Sequence, residues 1–253
     1  MPSFSIYRFW IQKKGNTINE YEDASAYKVL SDNEENNSYN FAIADGASES
    51  SYATEWAKLL TRSYRDKPFE NIEDLYDRLI KLSQRWHKII FRKPLPWFAE
   101  EKAKRGSYAT FLGINLVDFQ NSYIYWKAVG IGDCCLFQVR ENKLILSFPI
   151  ENSLSFDNFP YLFSSNMQMN NRIWDKVSFI DGIAKEGDIF VLGTDAIAAW
   201  FLLSYENNDS RWNELISLIS THDSQDKMRD WVERNRQEGM RNDDVTIIVI
   251  VLE

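Results

Sequence analysis

The segment Tyr39-Asn-Phe-Ala-Ile-Ala-Asp-Gly46 carries the clearest structural signal in the sequence. Tyr39–Ala44 is mostly apolar, which predicts a buried strand, and the turn pair Asp45-Gly46 ends it. A helix is predicted next, over Glu49–Arg65, because apolar residues there recur at helical spacing and form one core-facing stripe. That stripe consists of Tyr52, Ala53, Trp56, Leu59 and Leu60. An aspartate is therefore expected at the end of a stiff strand, shortly before a helix.

Strands and helices follow one another in blocks along the rest of the chain. Apolar or alternating patterns predict strands at Ser3–Trp10, Ala24–Leu30, Tyr108–Val117, Ser122–Gly130, Cys134–Val139, Leu144–Phe148, Ile189–Gly193 and Val245–Leu252. Helical spacing predicts helices at Ile72–Phe91 (with Ile89 in its apolar stripe), at Asp195–Leu203, around Trp212 to Ile219, and at Met228–Arg236. This order predicts a single α+β domain over residues 1–253, with helices covering the faces of sheets.

Two segments lack periodicity and are predicted to be irregular. Asp32–Asn40 is polar and is expected to form a turn. Glu151–Lys176 is rich in Asn and Ser, and we expect a long surface excursion beside a functional site.

Composition excludes several classes of function. The chain has 253 residues, 44% of them hydrophobic, which is enough for a substantial core. Its net charge of −8 argues against a nucleic-acid surface, which needs clustered Lys and Arg. The longest apolar runs, such as Val245–Leu252, are strand-sized, so neither a membrane span nor a signal peptide is expected. The two cysteines, Cys134 and Cys135, are adjacent and would form a strained disulfide, which favours a reducing compartment, the cytoplasm.

Four aspartates lie at predicted strand ends. Asp45 and Asp195 follow strands, Asp133 ends another, and Asp243 precedes the last strand. If they converge at one sheet edge, their mutual repulsion is costly without cations, and all-oxygen ligation favours Mg²⁺ or Mn²⁺. The alternative stays open at this point, because Asp-Gly is a common turn pair and a second one occurs at Asp181-Gly182.

Six short blocks occur in an order that resembles the protein phosphatase 2C family of metal-dependent phosphatases. They are Glu22-Asp23-Ala24, Ala44-Asp45-Gly46, Gly106-Ser-Tyr-Ala-Thr110, Gly130-Ile-Gly-Asp133, Gly187-Asp-Ile-Phe-Val-Leu-Gly-Thr-Asp195 and Asn242-Asp-Asp-Val-Thr246. Each block alone is a weak signal, whereas six in family order are a specific one. The segments Asp45–Ser50 and Thr194–Trp200 look like a bacterial-type branch.

The resemblance implies a fold, an activity and a set of ligands. The implied fold is a four-layer αββα sandwich, in which two antiparallel sheets are flanked by antiparallel helix pairs. The implied activity is hydrolysis of phosphoserine and phosphothreonine in a phosphorylated protein partner by a water that bridges two Mg²⁺ or Mn²⁺ ions. By position in the blocks, the residues implied to hold the ions and carry catalysis are Asp45, Asp195 and Asp243. The Gly46 carbonyl is implied as a further ligand, Glu22 and Asp23 as support for metal-bound water, and Asp133 as a ligand of a third, weaker ion.

The chain departs from the family pattern at two places. Ile18 stands where the family often has an arginine that contacts the substrate phosphate, and Arg8, Lys13 or Lys14 could replace it. After Gly46, the chain has Ala47-Ser48-Glu49 where many members have His and Gly. These departures motivate an alternative function, a catalytically weak or inactive phosphatase-like domain that binds phosphoprotein or metal.

Three residues that could suggest other chemistry are interpreted as structural. His87 is expected to be a partly packed surface residue, and His222 a loop or helix-end residue. Cys134 lacks a Cys-x5-Arg phosphate loop and is expected to pack in the interior.

Overall fold

Two antiparallel five-stranded sheets form the centre of the computed structural model, which describes residues 4–29, 39–120, 123–156, 159–209, 211–219 and 224–253. In chain order the strands are β1 (Phe4–Ile11), β2 (Ala24–Lys28), β3 (Tyr39–Ala44), β4 (Tyr108–Ala109), β5 (Phe111–Gln120), β6 (Tyr123–Ile131), β7 (Cys135–Arg140), β8 (Lys143–Phe148), β9 (Phe163–Ser164), β10 (Ser178–Lys185), β11 (Ile189–Gly193) and β12 (Val245–Leu252). Sheet I has the order β1-β12-β11-β7-β8, and sheet II the order β10-β6-β5-β3-β2. The first and last strands of the chain thus pair in sheet I.

The two sheets pack face to face, and alternation along the strands sorts the side chains between layers. In β3, Phe41 and Ile43 point between the sheets, whereas Ala42 and Ala44 face the helices. Cys134 lies between the sheets and Cys135 lies on the outer face of sheet I, both as free thiols. Their packing in opposite layers agrees with the expectation that a disulfide between these adjacent cysteines would be strained.

Helices cover both outer faces. They are α1 (Ala53–Asp66), α2 (Ile72–Ile90), α3 (Trp97–Lys104), α4 (Asp195–Glu206), α5 (Arg211–Ile219) and α6 (Ser224–Gln237). α1 and α2 share a core with sheet II, and α4, α5 and α6 share one with sheet I. The predicted α+β fold, a four-layer αββα sandwich, is confirmed.

The helix after Asp45-Gly46 begins four residues later than predicted. Ala47 to Ser51 are held against β4, since the Ala47 amide donates to the Tyr108 carbonyl (2.9 Å) and the Tyr108 amide donates to Ser50 Oγ (3.1 Å). Tyr52 then adopts a left-handed conformation (φ 64°) and is exposed, so its place in the predicted stripe is wrong. On α2, Ile89 is likewise 38% exposed rather than in the stripe.

Strand β10 and helix α3 were not predicted. Asp181-Gly182 lies inside β10 and is not a turn, because Gly182 pairs with Trp126 of β6. A Cβ atom at Gly182 would lie 2.4 Å from the Trp126 indole, so this glycine allows the ring to pack against the strand.

The segment Glu151–Lys176 is only partly a surface excursion. Leu154 and Phe159 are 94% and 88% exposed, but Phe163 is fully buried in β9, which pairs with β4. The Trp56 indole N–H also donates to the Phe163 carbonyl (2.8 Å). The middle of this segment is therefore a buried anchor, contrary to the expectation of a loop that stays on the surface.

Some predicted features lie outside the described residues. They are the Asp32–Ser38 part of the expected turn, the strand-end residues Ser3, Leu30 and Ser122, and His222. His87 is exposed, as expected, and stacks on Phe91 with ring centroids 4.4 Å apart. Within the part of the chain that the structure describes, no helix combines the length and apolar character needed to cross a membrane.

Candidate active site

One cavity of about 450 Å³ collects most of the predicted site residues. The segments that meet there are the end of β3, the β6–β7 turn, the start of α4 and the loop before β12. Its lining consists of Asp45, Gly46, Ala47, Ser48, Glu49, Thr110, Asp133, Phe159, Pro160, Leu162, Asp195, Arg241 and Asp243. The four strand-end aspartates and Gly46 are thus brought together, whereas Glu22 and Asp23 lie outside this lining.

Asp45 is fixed through its backbone. Its amide donates to Thr110 Oγ1 (3.3 Å), and its carbonyl accepts from the Thr110 amide (2.9 Å). A Cβ atom at Gly46 would lie 2.8 Å from the Glu22 carbonyl oxygen and 2.9 Å from Ala53 Cβ, so only glycine fits beside Asp45. No donor among the described residues hydrogen-bonds the Asp45 carboxylate, which leaves its oxygens available to a ligand.

The electrostatic environment of Asp45 favours its neutral form when no cation is bound. Burial raises the pKa of this carboxyl well above its ordinary value, and the charges of Asp23, Asp195, Asp133 and Asp243 raise it further. A bound cation would remove this repulsion.

Asp133 is presented by a tight turn. Gly132 has a φ of 87°, and a Cβ atom there would lie 2.6 Å from Thr110 Cγ2 and 2.8 Å from the Tyr161 carbonyl oxygen. Thr110 also contacts Cys134 Sγ at 3.0 Å. Thr110 therefore packs against the turn that carries Asp133 as well as holding Asp45.

Asp195 is the first residue of α4 and is engaged by two donors. Its Oδ1 accepts from the Ala196 amide (2.5 Å), and its Oδ2 accepts from Arg241 Nη1 (2.6 Å). Burial and the charge of Asp243 raise the pKa of Asp195, and Arg241 opposes that rise. A guanidinium thus supplies positive charge directly at a predicted metal ligand.

Asp243 and Asp244 have different environments. Asp243 is about a third exposed, and Lys13 Nζ lies 3.6 Å from its Oδ1. Asp244 is buried, and its two carboxylate oxygens accept from the backbone amides of Lys13 and Glu22 (2.7 Å each). Asp244 therefore ties the segment after β1 and the Glu22-Asp23 pair to the start of β12.

Asp23 lies outside the lining of the cavity, although its charge raises the pKa of Asp45. Its Oδ2 accepts from Thr194 Oγ1 (3.0 Å) and Thr246 Oγ1 (2.7 Å), whereas its Oδ1 is buried without a hydrogen-bond partner. Burial raises the pKa of Asp23 well above its ordinary value. Glu22 is half-buried; burial raises the pKa of its carboxyl, and the hydroxyl of Ser48, which does line the cavity, opposes that rise.

The donor set fits a hard divalent cation, although the side chains are not gathered around one point. Among the described residues, no group of three Asp, Glu, His or Cys side chains stands close enough to hold a metal ion. The physical reason is visible at Asp195, which is turned to Arg241, and at Asp23, which is turned to two threonines. The oxygen donors in the lining, the unpartnered buried Asp23 Oδ1 and the excess of carboxylates match the chemistry that Mg²⁺ and Mn²⁺ prefer.

The three candidate substitutes for the missing arginine differ in position. Ile18 is half exposed and lines a separate cavity together with Arg8. Lys14 Nζ lies 3.7 Å from Glu233, outside the acidic cavity. Only Lys13, of these three, approaches a predicted metal ligand.

Sequence reasoning missed Arg241, Asp244 and the role of Thr110. Asp244 and Thr110 stand inside blocks that had been singled out, so their block membership was an available signal. Arg241 precedes the acidic pair by two residues, but no spacing rule predicts that its side chain folds back onto Asp195.

The solved structures that are similar to this chain include serine/threonine phosphatases. The catalytic domain of the phosphatase PstP, in complex with two manganese ions, matches with a TM-score of 0.60 at 13% identity, covering 100% of this chain and 99% of that one. Stp1 from Staphylococcus aureus has a TM-score of 0.58 at 11% identity (99% and 96% covered), and the S. agalactiae phosphatase 0.55 at 14% (99% and 100% covered). No protein-family model matches the chain, and no curated protein matches it. The resemblance predicted from the six blocks is confirmed at the level of the fold.

Proposed function

We propose that this protein hydrolyses phosphoserine and phosphothreonine in a phosphorylated protein partner, with Mg²⁺ or Mn²⁺ as cofactor. The observation that carries the proposal is the convergence of Asp45, Asp133, Asp195 and Asp243 in one cavity, from four segments far apart in sequence. The fold shared with serine/threonine phosphatases, one of them in complex with two manganese ions, supports it.

Each acidic residue has a distinct role in the proposal. Asp45, the Gly46 carbonyl, Asp195 and Asp243 hold two ions, and Asp133 holds a third, weaker one. Glu22 and Asp23 would support the water around the ions, since the Glu22 carbonyl oxygen lies 2.8 Å from the position that a Cβ atom would take at Gly46. When bound, the ions supply an activated water as the nucleophile and offset the charge that develops on the phosphoryl oxygens.

Arg241 replaces the phosphate-binding arginine that is absent at Ile18. In the metal-free protein it neutralises Asp195. If Asp195 were to hold an ion instead, the guanidinium of Arg241 would be released at the cavity wall. A guanidinium matches the oxygens of a phosphoryl group in two parallel hydrogen bonds, so Arg241 is suited to orient the substrate.

The two cysteines bear on the location of the proposed activity. Cys134 and Cys135 are both free, which suits a reducing compartment. We therefore place the proposed activity in the cytoplasm.

The experiment is a phosphatase assay on the purified protein with p-nitrophenyl phosphate and a phosphothreonine peptide, with and without Mn²⁺. We expect turnover that requires Mn²⁺, is abolished in Asp45→Asn, and is retained in Asp181→Asn. Asp181 is a matched control because it precedes a glycine too, yet it is exposed in β10, outside the site. If neither substrate is hydrolysed while the phosphopeptide or Mn²⁺ still binds, the chain is the alternative, a phosphatase-like binding domain.

A further inference from the structure

A second cavity, of about 770 Å³, has the opposite charge to the acidic one. It lies between β1, β2 and α1, and we call it the basic groove. Four cationic side chains line it, Arg8, Lys58, Arg62 and Arg65, against one acidic residue, Asp23. The acidic cavity is lined by five carboxylate residues and only Arg241. On a chain with a net charge of −8, the basic groove is therefore a local concentration of positive charge.

Most of the cations in the basic groove are not neutralised by the protein. Arg65 is paired with Asp66 (2.7 Å), but Arg8, Lys58 and Arg62 form no ion pair with any residue that the structure describes. Lys58 and Arg62 are four residues apart on α1, a spacing at which like charges repel and weaken a helix. Arg8 adds a third charge from β1, across the groove. An anionic ligand would offset all three charges.

The basic groove adjoins the acidic cavity through the segment Tyr21-Glu22-Asp23. Tyr21 and Asp23 line the groove, and the Tyr21 carbonyl accepts a hydrogen bond from Thr54 Oγ1 (3.2 Å), which lines it as well. Between them, the Glu22 carbonyl oxygen lies 2.8 Å from the position that a Cβ atom would take at Gly46, which lines the acidic cavity. A peptide whose phosphorylated residue occupies the acidic cavity can therefore continue into the groove.

The groove also offers apolar surface for a peptide backbone. Trp10 and Tyr21 pack together in its wall with ring centroids 5.3 Å apart, and Ile18 is half exposed at the same wall. Cationic side chains next to exposed aromatic and aliphatic surface suit a peptide with acidic side chains better than a free inorganic anion, which needs no apolar contact.

We propose that the basic groove binds acidic side chains next to the phosphorylated residue, so that the preferred substrates are phosphoproteins with acidic flanking sequence. This inference rests on the proposed function for its placement and extends it by naming a substrate class.

The test compares two fluorescent phosphothreonine peptides, identical except that one has three flanking glutamates where the other has glutamines. Binding is measured by anisotropy in the absence of metal, and kcat/KM is measured with Mn²⁺. We expect the acidic peptide to bind and react about tenfold better in the wild type, with the ratio reduced to near one in Arg62→Glu and in Arg8→Glu. Arg85→Glu, an exposed residue of α2 outside the groove, should keep the wild-type ratio.

The outcomes separate this inference from the proposed function. Equal binding of the two peptides by the wild type, or an unchanged ratio in both groove variants, overturns the basic groove as a docking site. A ratio that falls equally in Arg85→Glu also overturns it, because the preference then reflects net charge alone. Absence of Mn²⁺-dependent turnover on any substrate overturns the proposed function. In that case the anisotropy measurements still show whether the basic groove binds the acidic peptide in preference to the neutral one. Two groove variants on different elements, each checked by thermal unfolding, guard against misfolding of one.

Discussion

At the scale of single residues, buried carboxylates in and next to the acidic cavity lower the stability of the metal-free protein. Asp45 and Asp23 are held in positions where burial and neighbouring carboxylates disfavour their charged forms. Strain of this kind is characteristic of sites built for a ligand, since the ligand removes the cost when it binds. Substitution of these residues should therefore change the stability of the protein as well as its activity.

Asp45→Asn should stabilise the metal-free protein. Because the folded pKa of Asp45 is raised above the unfolded value of about 3.9, the fold favours the neutral form, and stability falls as pH rises between the two values. Asparagine mimics the neutral form, so we expect a Tm higher by a few degrees in EDTA at pH 7.5, where ~1 kcal/mol corresponds to roughly 2–4 °C for a chain of this size. The difference should shrink at pH 5. A lower Tm of Asp45→Asn at pH 7.5 in EDTA would contradict this account.

Arg241→Met should separate metal binding from phosphate binding. Methionine keeps much of the length but removes the charge, so Asp195 loses its competing partner and Mn²⁺ should bind at least as tightly by calorimetry. Inhibition by inorganic phosphate should weaken about tenfold or more, since a charge-assisted hydrogen bond contributes roughly 1.5–3 kcal/mol. Arg241→Lys keeps the positive charge but cannot form two parallel hydrogen bonds, so its inhibition by phosphate should lie between that of the wild type and that of Arg241→Met. Phosphate inhibition equal to the wild type would exclude Arg241 as the phosphate ligand.

How much of the site could be foreseen differs from residue to residue. The positions of Asp45, Asp133, Asp195 and Asp243 were predictable because each is adjacent to a strand whose apolar pattern is plain in the sequence. Arg241 was not, because its importance depends on where a long side chain folds back in three dimensions. The metal roles of these aspartates remain predictions.

At the scale of elements, local hydrogen bonds and buried pairings override the sequence pattern. The helical stripe extended to Tyr52, but the bonds of Ala47 and Ser50 to β4 delay the start of α1 until Ala53. The pair Asp181-Gly182 resembles a turn in the sequence, but it lies inside β10, where Gly182 pairs with Trp126 and leaves room for its ring. Strands with continuous apolar runs, such as Tyr39–Ala44 and Val245–Leu252, were thus predictable, whereas the two-residue strand β9 and strand β10, with Asp181-Gly182 in its middle, were missed.

The segment Glu151–Lys176 offers a matched pair of phenylalanines. Phe163 is fully buried and packs near Phe111, so Phe163→Ala should lower the free energy of unfolding by about 3–5 kcal/mol, as core Phe truncations do. Phe159 is 88% exposed and lines the acidic cavity, so Phe159→Ala should change stability by less than about 0.5 kcal/mol but alter kcat/KM for phosphopeptides. Urea unfolding and peptide kinetics on both variants provide the check. Equal stability losses would refute the division of this segment into an anchor and a cavity wall.

At the scale of the whole molecule, the two-sheet sandwich brings acidic residues that are far apart in sequence together in one cavity. Asp45 comes from sheet II, Asp195 and Asp243 come from segments next to sheet I, and Asp133 comes from the turn that crosses between the sheets. The basic groove is joined to this cavity by the segment Tyr21-Glu22-Asp23, since Tyr21 and Asp23 line the groove and the Glu22 carbonyl oxygen lies against Gly46. That the whole of residues 1–253 acts as a single domain remains a prediction.

The most direct measurement is the anomalous difference map of crystals soaked in Mn²⁺. We predict two strong peaks in the acidic cavity, with Asp45 oxygens about 2 Å from both ions and Asp195 turned from Arg241 to one of them. The absence of any peak in this cavity at saturating Mn²⁺, with the Arg241–Asp195 ion pair intact, would contradict the central claim that these carboxylates form a metal centre.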